Sequence, residues 1–234
     1  MGALSRDEII EFLAITQELQ RRAAAKDLTK WFPDDGPFAR DLYPKHRAFF
    51  RAGVEHRERC FLAANRVGKT IAGGYETALH QTGLYPDWWD GWRINRAPRT
   101  WCAGKTTETV RDIIQLALFG PADAFGMGMI PKHLIGEIKF RPNTNGCLDY
   151  ANVKHQPTGT WSQIGLKTYI QGRSAFEGTE RDVVWGDEEM PLDIYSECLT
   201  RTATTDGRIS LTFTPLEGVT PLVVQFLEKA DYRV

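Results

Sequence analysis

Ala63-Ala64-Asn65-Arg66-Val67-Gly68-Lys69-Thr70 decides how this 234-residue chain is read. It stands between the apolar run Cys60-Phe61-Leu62-Ala63 and a segment in which Ile71, Tyr75 and Leu79 recur at helical spacing. A strand, a Gly-Lys-Thr loop and then a helix is the order in which a phosphate-binding loop is built. Successive backbone N–H groups and the helix dipole converge on an anion at the helix N-terminus. On that reading Asn65, Arg66, Val67 and Gly68 wrap a triphosphate and Lys69 reaches its β and γ phosphates. The Thr70 hydroxyl ligates Mg2+. The usual pattern opens with Gly, and Ala63 stands in that place.

A second site lies far along the chain. Asp182-Val183-Val184-Trp185-Gly186 reads as a buried strand, and Asp187-Glu188-Glu189 comes directly after it. Three carboxylates at a strand end repel one another unless a cation or a protein donor sits among them. Asp187 is assigned to Mg2+ and Glu188 to the water that attacks the γ phosphate, with Glu189 left as a surface or helix-capping residue. The sequence between Lys69 and Asp187 leaves room for the strand and helix units that parallel connections need. A third strand, Arg208-Ile209-Ser210-Leu211-Thr212-Phe213-Thr214-Pro215, ends in hydroxyls. Thr212 or Thr214 would sense the γ phosphate and couple it to the chain beyond Gly218. Arg66 is the local candidate for the catalytic arginine, and Arg173, Arg181 and Arg201 are alternatives that a neighbouring subunit would receive.

Composition narrows the rest. Lys plus Arg total 29 against 30 Asp plus Glu, so the chain has no global positive field and any DNA contact must be local. The stretches from Lys45 to Arg59 and from Arg93 to Lys105 are the basic candidates. Cys60, Cys102, Cys147 and Cys198 form no Cys-x-x-Cys pair and read as reduced core thiols. No apolar run approaches the ~18 residues of a membrane span and no signal-peptide pattern opens the chain, so a soluble, intracellular protein is expected. Ser5 and Glu8 form a capping box for a helix running to about Lys26, with Ile9, Phe12, Leu13 and Leu19 on a face expected to pack onto the neighbouring domain. The aromatics of Gly83 to Trp92 are expected against the helix after the loop. Arg99 to Gly104 predicts a strand, Thr106 to Phe119 a helix, and Ile138 to Ile170 strands and hairpins.

These segments together resemble the N-terminal ATPase domain of the large terminase subunit, the motor that packages double-stranded DNA into tailed-phage heads. The resemblance rests on Ala64 to Thr70, on Phe176-Glu177-Gly178 leading into Val183 to Glu189, on the Arg201 to Gly207 link, and on Thr212-Phe213-Thr214-Pro215-Leu216-Glu217-Gly218. It implies an α/β P-loop NTPase of the additional-strand, RecA-like type: a mostly parallel sheet flanked by helices, with the acidic strand near the loop strand but not next to it in sequence. It implies an N-terminal helical segment over 1–42 and an ATPase domain over 43–234, with ATP and Mg2+ as cofactors. Tyr43-Pro44-Lys45-His46 occupies the place that meets adenine, which assigns Tyr43 and His46 to nucleotide binding, although Gln is common where His46 stands. The implied partners are double-stranded DNA, the portal protein, the small terminase subunit and further copies in a ring on the procapsid, in the host cytoplasm and away from membrane. The clustered-carboxylate nuclease domain of that family is expected to be absent from this chain. A catalytically silent nucleotide-binding assembly module and a helicase-like DNA remodeller are the alternative readings.

Overall fold

The computed structural model describes residues 5–228. Within them one seven-stranded sheet has the order β1-β7-β6-β2-β5-β4-β3. The strands are β1 Glu58–Leu62, β2 Arg99–Gly104, β3 Ile135–Phe140, β4 Leu148–His155, β5 Thr160–Thr168, β6 Val183–Asp187 and β7 Arg208–Phe213. From β1 through β7, β6 and β2 to β5 all neighbours are parallel, whereas β4 and β3 add on antiparallel. β7 therefore lies between the strand feeding the phosphate loop and the strand ending in the acids, the additional-strand arrangement expected. Every residue of β6 and β7 is buried, as befits strands covered on both faces. β4 alternates buried and half-buried residues toward the end of the sheet.

Seven α-helical segments are described: α1 Arg6–Thr29, α2 Pro44–Ala52, α3 Lys69–Thr82, α4 Thr107–Thr109, α5 Leu116–Phe119, α6 Leu192–Ala203 and α7 Pro221–Glu228. The predicted helix after β2 is present from Thr107 to Phe119, but its middle, Val110–Gln115, is wound as a π-helix. One core packs α3 and the helix after β2 on the sheet through Phe50, Tyr75, Leu79, Ile114, Leu118 and Trp185. The other packs α6 and α7 on the opposite face through Trp101, Phe176, Tyr195, Ile209, Leu211 and Leu222. Each fully buried side chain of this size stabilises by about 1.5–3 kcal/mol. The aromatic loop behaves as expected: Trp88 stacks on Tyr75 of α3 with an interplanar angle of 5°, and Trp89 lies on Phe50. All four cysteines are free, with Cys102, Cys147 and Cys198 buried.

One expectation is corrected, and the basic stretches prove to carry ion pairs within the fold. The capping box of α1 forms, with the Ser5 N–H donating to Glu8 at 2.8 Å and the Glu8 N–H to Ser5 Oγ at 3.3 Å. Its apolar face does not pack on the domain, since Ile9, Ile10, Phe12, Leu13, Ile15 and Leu19 are all exposed and Leu28 is the first buried side chain described. The basic stretches are largely structural ties. Arg59 pairs with Glu76 of α3 at 2.9 Å in the interior, and Arg47, Arg51, Arg96 and Arg99 pair with Asp41, Asp90, Asp182 and Glu180. No helix among the described residues is long and apolar enough to cross a membrane. Residues 229–234 of the expected 43–234 domain lie outside the described residues.

Candidate active site

The loop from Ala63 leaves β1 and closes on α3 at Gly68, whose φ of +85° only glycine adopts freely. A Cβ there would also stand 3.0 Å from His46 Nε2. Arg66 takes a left-handed φ of +62° despite its side chain, so the loop doubles back beneath the helix N-terminus. The Lys69 ammonium donates to the carbonyls of Ala63 at 2.9 Å and Ala64 at 2.6 Å, and to Thr214 Oγ1 at 2.8 Å. Burial lowers the Lys69 pKa, and Asp187 works against that shift.

Asp187 ends β6 opposite this loop. Thr70 Oγ1 lies 3.1 and 3.0 Å from its two carboxylate oxygens, so the two remote motifs meet. Burial pushes the Asp187 carboxyl up to about 6, opposed by the hydroxyls of Thr212 and Thr70. A buried carboxylate with an elevated pKa gains by meeting a cation. Mg2+ takes hard oxygens, usually one or two carboxylates completed by substrate phosphates and water. One hydroxyl and one carboxylate beside a phosphate loop fit that ion. No cluster of three His, Cys, Asp or Glu side chains forms an all-protein metal cage among the described residues.

Glu188 comes next in a left-handed conformation, φ +67°, which turns its side chain out of the strand direction. Its N–H donates to the Thr212 carbonyl at 3.1 Å, and its carboxylate accepts from the Lys105 backbone N–H at 3.2 Å. Beneath it the buried Tyr169 hydroxyl is 3.2 Å from the carbonyls of Ala103, Asp187 and Glu188, tying the ends of β2 and β6. Lys69, Thr70, Lys105, Asp187, Glu188 and Thr214 line one cavity of about 910 Å³. A second, of about 730 Å³, opens on the other side of the loop among Trp31, Phe38, Tyr43, His46, Val67 and Met127. Arg66 and Gly68 line both.

The sequence-assigned residues thus fall into two groups. Lys69, Thr70, Asp187, Glu188 and Thr214 converge on the first cavity, whereas Tyr43 and His46 face the second. The His46 ring, 6% exposed, is braced by Phe32, Tyr43 and Phe61 with centroids 5.1–6.1 Å away. Asn65 Oδ1 accepts from Thr214 Oγ1 at 2.8 Å. Thr212 is 1% exposed and lies behind Asp187, donating to Oδ1 at 2.7 Å. Glu189 is neither a surface residue nor a helix cap: it is half-buried and accepts from Thr220 Oγ1, and Pro191 stands at the α6 N-cap. Arg173 and Arg201 are spent on Glu197, each at 2.9 Å, and Arg181 lies over the Trp101 ring at 4.4 Å. Arg66 remains exposed and without an ion pair among the described residues. Sequence reasoning missed Lys105, Tyr169 and Trp185. Lys105 stood only as the end of a basic stretch, Trp185 only as an apolar residue of the acidic strand, and Tyr169 carried no motif.

Residues 60–233 match the family model described as terminase large subunit, T4likevirus-type, N-terminal. The chain belongs to that family. It is 36% identical over 244 aligned residues to the large terminase subunit of Salmonella phage P22, a match that takes in 96% of this chain and 47% of that protein. It thus spans about half the length of the curated terminase it matches. Among solved structures, the large terminase of a thermophilic bacteriophage in complex with ADP overlays at a TM-score of 0.51 with 14% identity, covering 89% of this chain and 42% of that one. A second crystal form of the same terminase gives 0.50 with 12% identity and the same coverage. These overlays show that the chain shares its fold with part of that large terminase.

Proposed function

We propose that this chain is the ATP-hydrolysing motor domain of a large terminase, which powers translocation of viral double-stranded DNA into the procapsid. The observation that carries the reading is the meeting of Thr70 and Asp187 at 3.0 Å beside Lys69. Lys69 leaves the loop carbonyls for the β and γ phosphates when nucleotide enters. Thr70 and Asp187 would hold Mg2+, which when bound would supply charge neutralisation at the phosphates. Glu188 orients the attacking water, and its left-handed backbone aims the carboxylate into the cavity. Arg66 supplies the guanidinium. Thr214, already bonded to both Lys69 and Asn65, reports the state of the γ phosphate along β7.

We assign the base to the aromatic cavity, against Tyr43 and His46; the support is that Arg66 and Gly68 border both this cavity and the one lined by Lys69 and Thr70. Residues 43–234 form the ATPase domain and 1–42 a helical segment ahead of it. Double-stranded DNA, the portal protein, the small terminase subunit and ring neighbours on the procapsid are the partners of this role, in the host cytoplasm.

The test is kinetic and starts from Mg2+-dependent ATP turnover by the purified chain. Lys69→Ala is expected to abolish nucleotide binding. Glu188→Gln is expected to keep it while losing a hundredfold or more in turnover, the order of a general-base contribution, about 10²–10⁴. Nucleotide affinity unchanged in Lys69→Ala would sink the assignment.

A further inference from the structure

β6 and β7 run side by side with Asp187 opposite Thr212. Trp185, two residues before Asp187, points to the same face of β6. Its indole Nε1–H donates to Thr212 Oγ1 at 2.8 Å. An indole nitrogen can only donate, so the Thr212 oxygen must accept there. Its own proton is then directed to the Asp187 Oδ1, 2.7 Å away, in preference to the Gly186 carbonyl at 3.4 Å. All three side chains are buried, at 0%, 1% and 4% exposure, so loss of one partner leaves a buried polar group poorly compensated. α3 is shaped to admit the indole: a Cβ at Gly73 would fall 2.2 Å from Trp185 Nε1, and Gly74 borders the same ring.

We infer that Trp185 and Thr212 are positioning residues for the metal site, a one-way chain of donors that fixes Asp187 Oδ1 and with it the carboxylate that meets Thr70 Oγ1 through both oxygens. The inference rests on the reading of Asp187 as a Mg2+ ligand. Hydrogen bonds that hold a metal-binding carboxylate fix its orientation, and removing one typically lowers metal affinity by about 10–100-fold. In this arrangement Thr212 acts through Asp187, and Thr214 alone of the two hydroxyls touches the phosphate lysine.

The experiment reads binding, not turnover. ADP affinity is measured by calorimetry with Mg2+ and with chelator, and the ratio of the two gives the Mg2+ contribution. Thr212→Val keeps side-chain volume and Trp185→Phe keeps an aromatic ring of smaller size, and both lose the donor chain. Each is expected to cut the Mg2+ contribution about tenfold while metal-free ADP affinity stays at the wild-type value, and Thr212→Ser is expected to restore it. Asp187→Asn reports on the underlying reading and is expected to remove the Mg2+ contribution. If it does so while Thr212→Val and Trp185→Phe keep the full contribution, the donor chain is overturned. If Asp187→Asn keeps it, the metal assignment itself fails and takes the inference with it. Should Trp185→Phe lose its cooperative melting transition, Thr212→Val against Thr212→Ser decides the matter.

Discussion

His46 is held against the phosphate loop by three aromatic rings, and burial keeps its pKa below the ordinary 6.5. The folded protein therefore holds this imidazole neutral, while the unfolded chain takes up a proton more readily. Its contribution to stability is fully present above 6.5 and is lost as pH falls through the lowered folded-state pKa. Between pH 7.5 and pH 5 the melting temperature of wild type should fall relative to that of His46→Gln, a difference from which the opposing contribution of the raised Asp187 carboxyl cancels. Tyr169 makes a different claim at the same scale. Its hydroxyl lies within 3.2 Å of the Glu188 carbonyl and also ties the ends of two strands, so Tyr169→Phe removes the tie and keeps the ring. Misplacement of a catalytic group by about 1 Å can cost a hundredfold. Tyr169→Phe is expected to lower kcat at least about tenfold with the melting temperature and the KM for ATP near wild type. In a Glu188→Gln background it should add nothing, because the group it places is already disabled.

At the scale of elements, β1, the loop and α3 were legible because periodicity and a Gly-Lys-Thr ending are local properties of the sequence. The acidic strand was legible for the same reason, an unbroken apolar run ending in carboxylates. The resemblance put the acidic strand near the loop strand, but that β7 is the strand between β1 and β6 was not read, since strand order is set by long-range packing. Pairing of the basic residues was not legible at all: Arg59 finds Glu76 and Arg96 finds Asp182, partners 17 and 86 positions away that no charge count reveals. Nor was the space that Gly73 leaves for Trp185, because a glycine in a helical pattern reads as a weakness until its neighbour is seen. The Arg59–Glu76 pair fastens α3 to β1 with both side chains under 5% exposed. Arg59→Met would leave the Glu76 carboxylate buried beside His80 without its cation. The expected loss is about 3–5 kcal/mol in urea-induced unfolding, with the nucleotide loop weakened as its helix loosens.

Across the whole molecule the mass is unevenly committed. The sheet and its two cores hold the site, while residues 6–15 of α1 present exposed side chains. Removing residues 1–19 should shift the melting temperature by less than about 2 °C, as for the loss of surface contacts in a chain of this size. A drop several times larger in a thermal scan would mean that α1 bears on the core after all. The helical prediction for this segment was right and its packing was not, because amphipathic spacing says which face is apolar and nothing about what covers it. β7 has the opposite standing. It touches the lysine of one motif through Thr214 and the acid of the other through Thr212, and it continues through Thr220 into α7, whose Leu222 and Val223 are locked in the second core. On the proposed function, tension applied to α7 would reach both Lys69 and Asp187, the arms of the nucleotide clamp, through one strand. By thermodynamic reciprocity the clamp must answer: if the triphosphate biases where α7 sits, mechanical load on α7 changes how tightly the triphosphate is held.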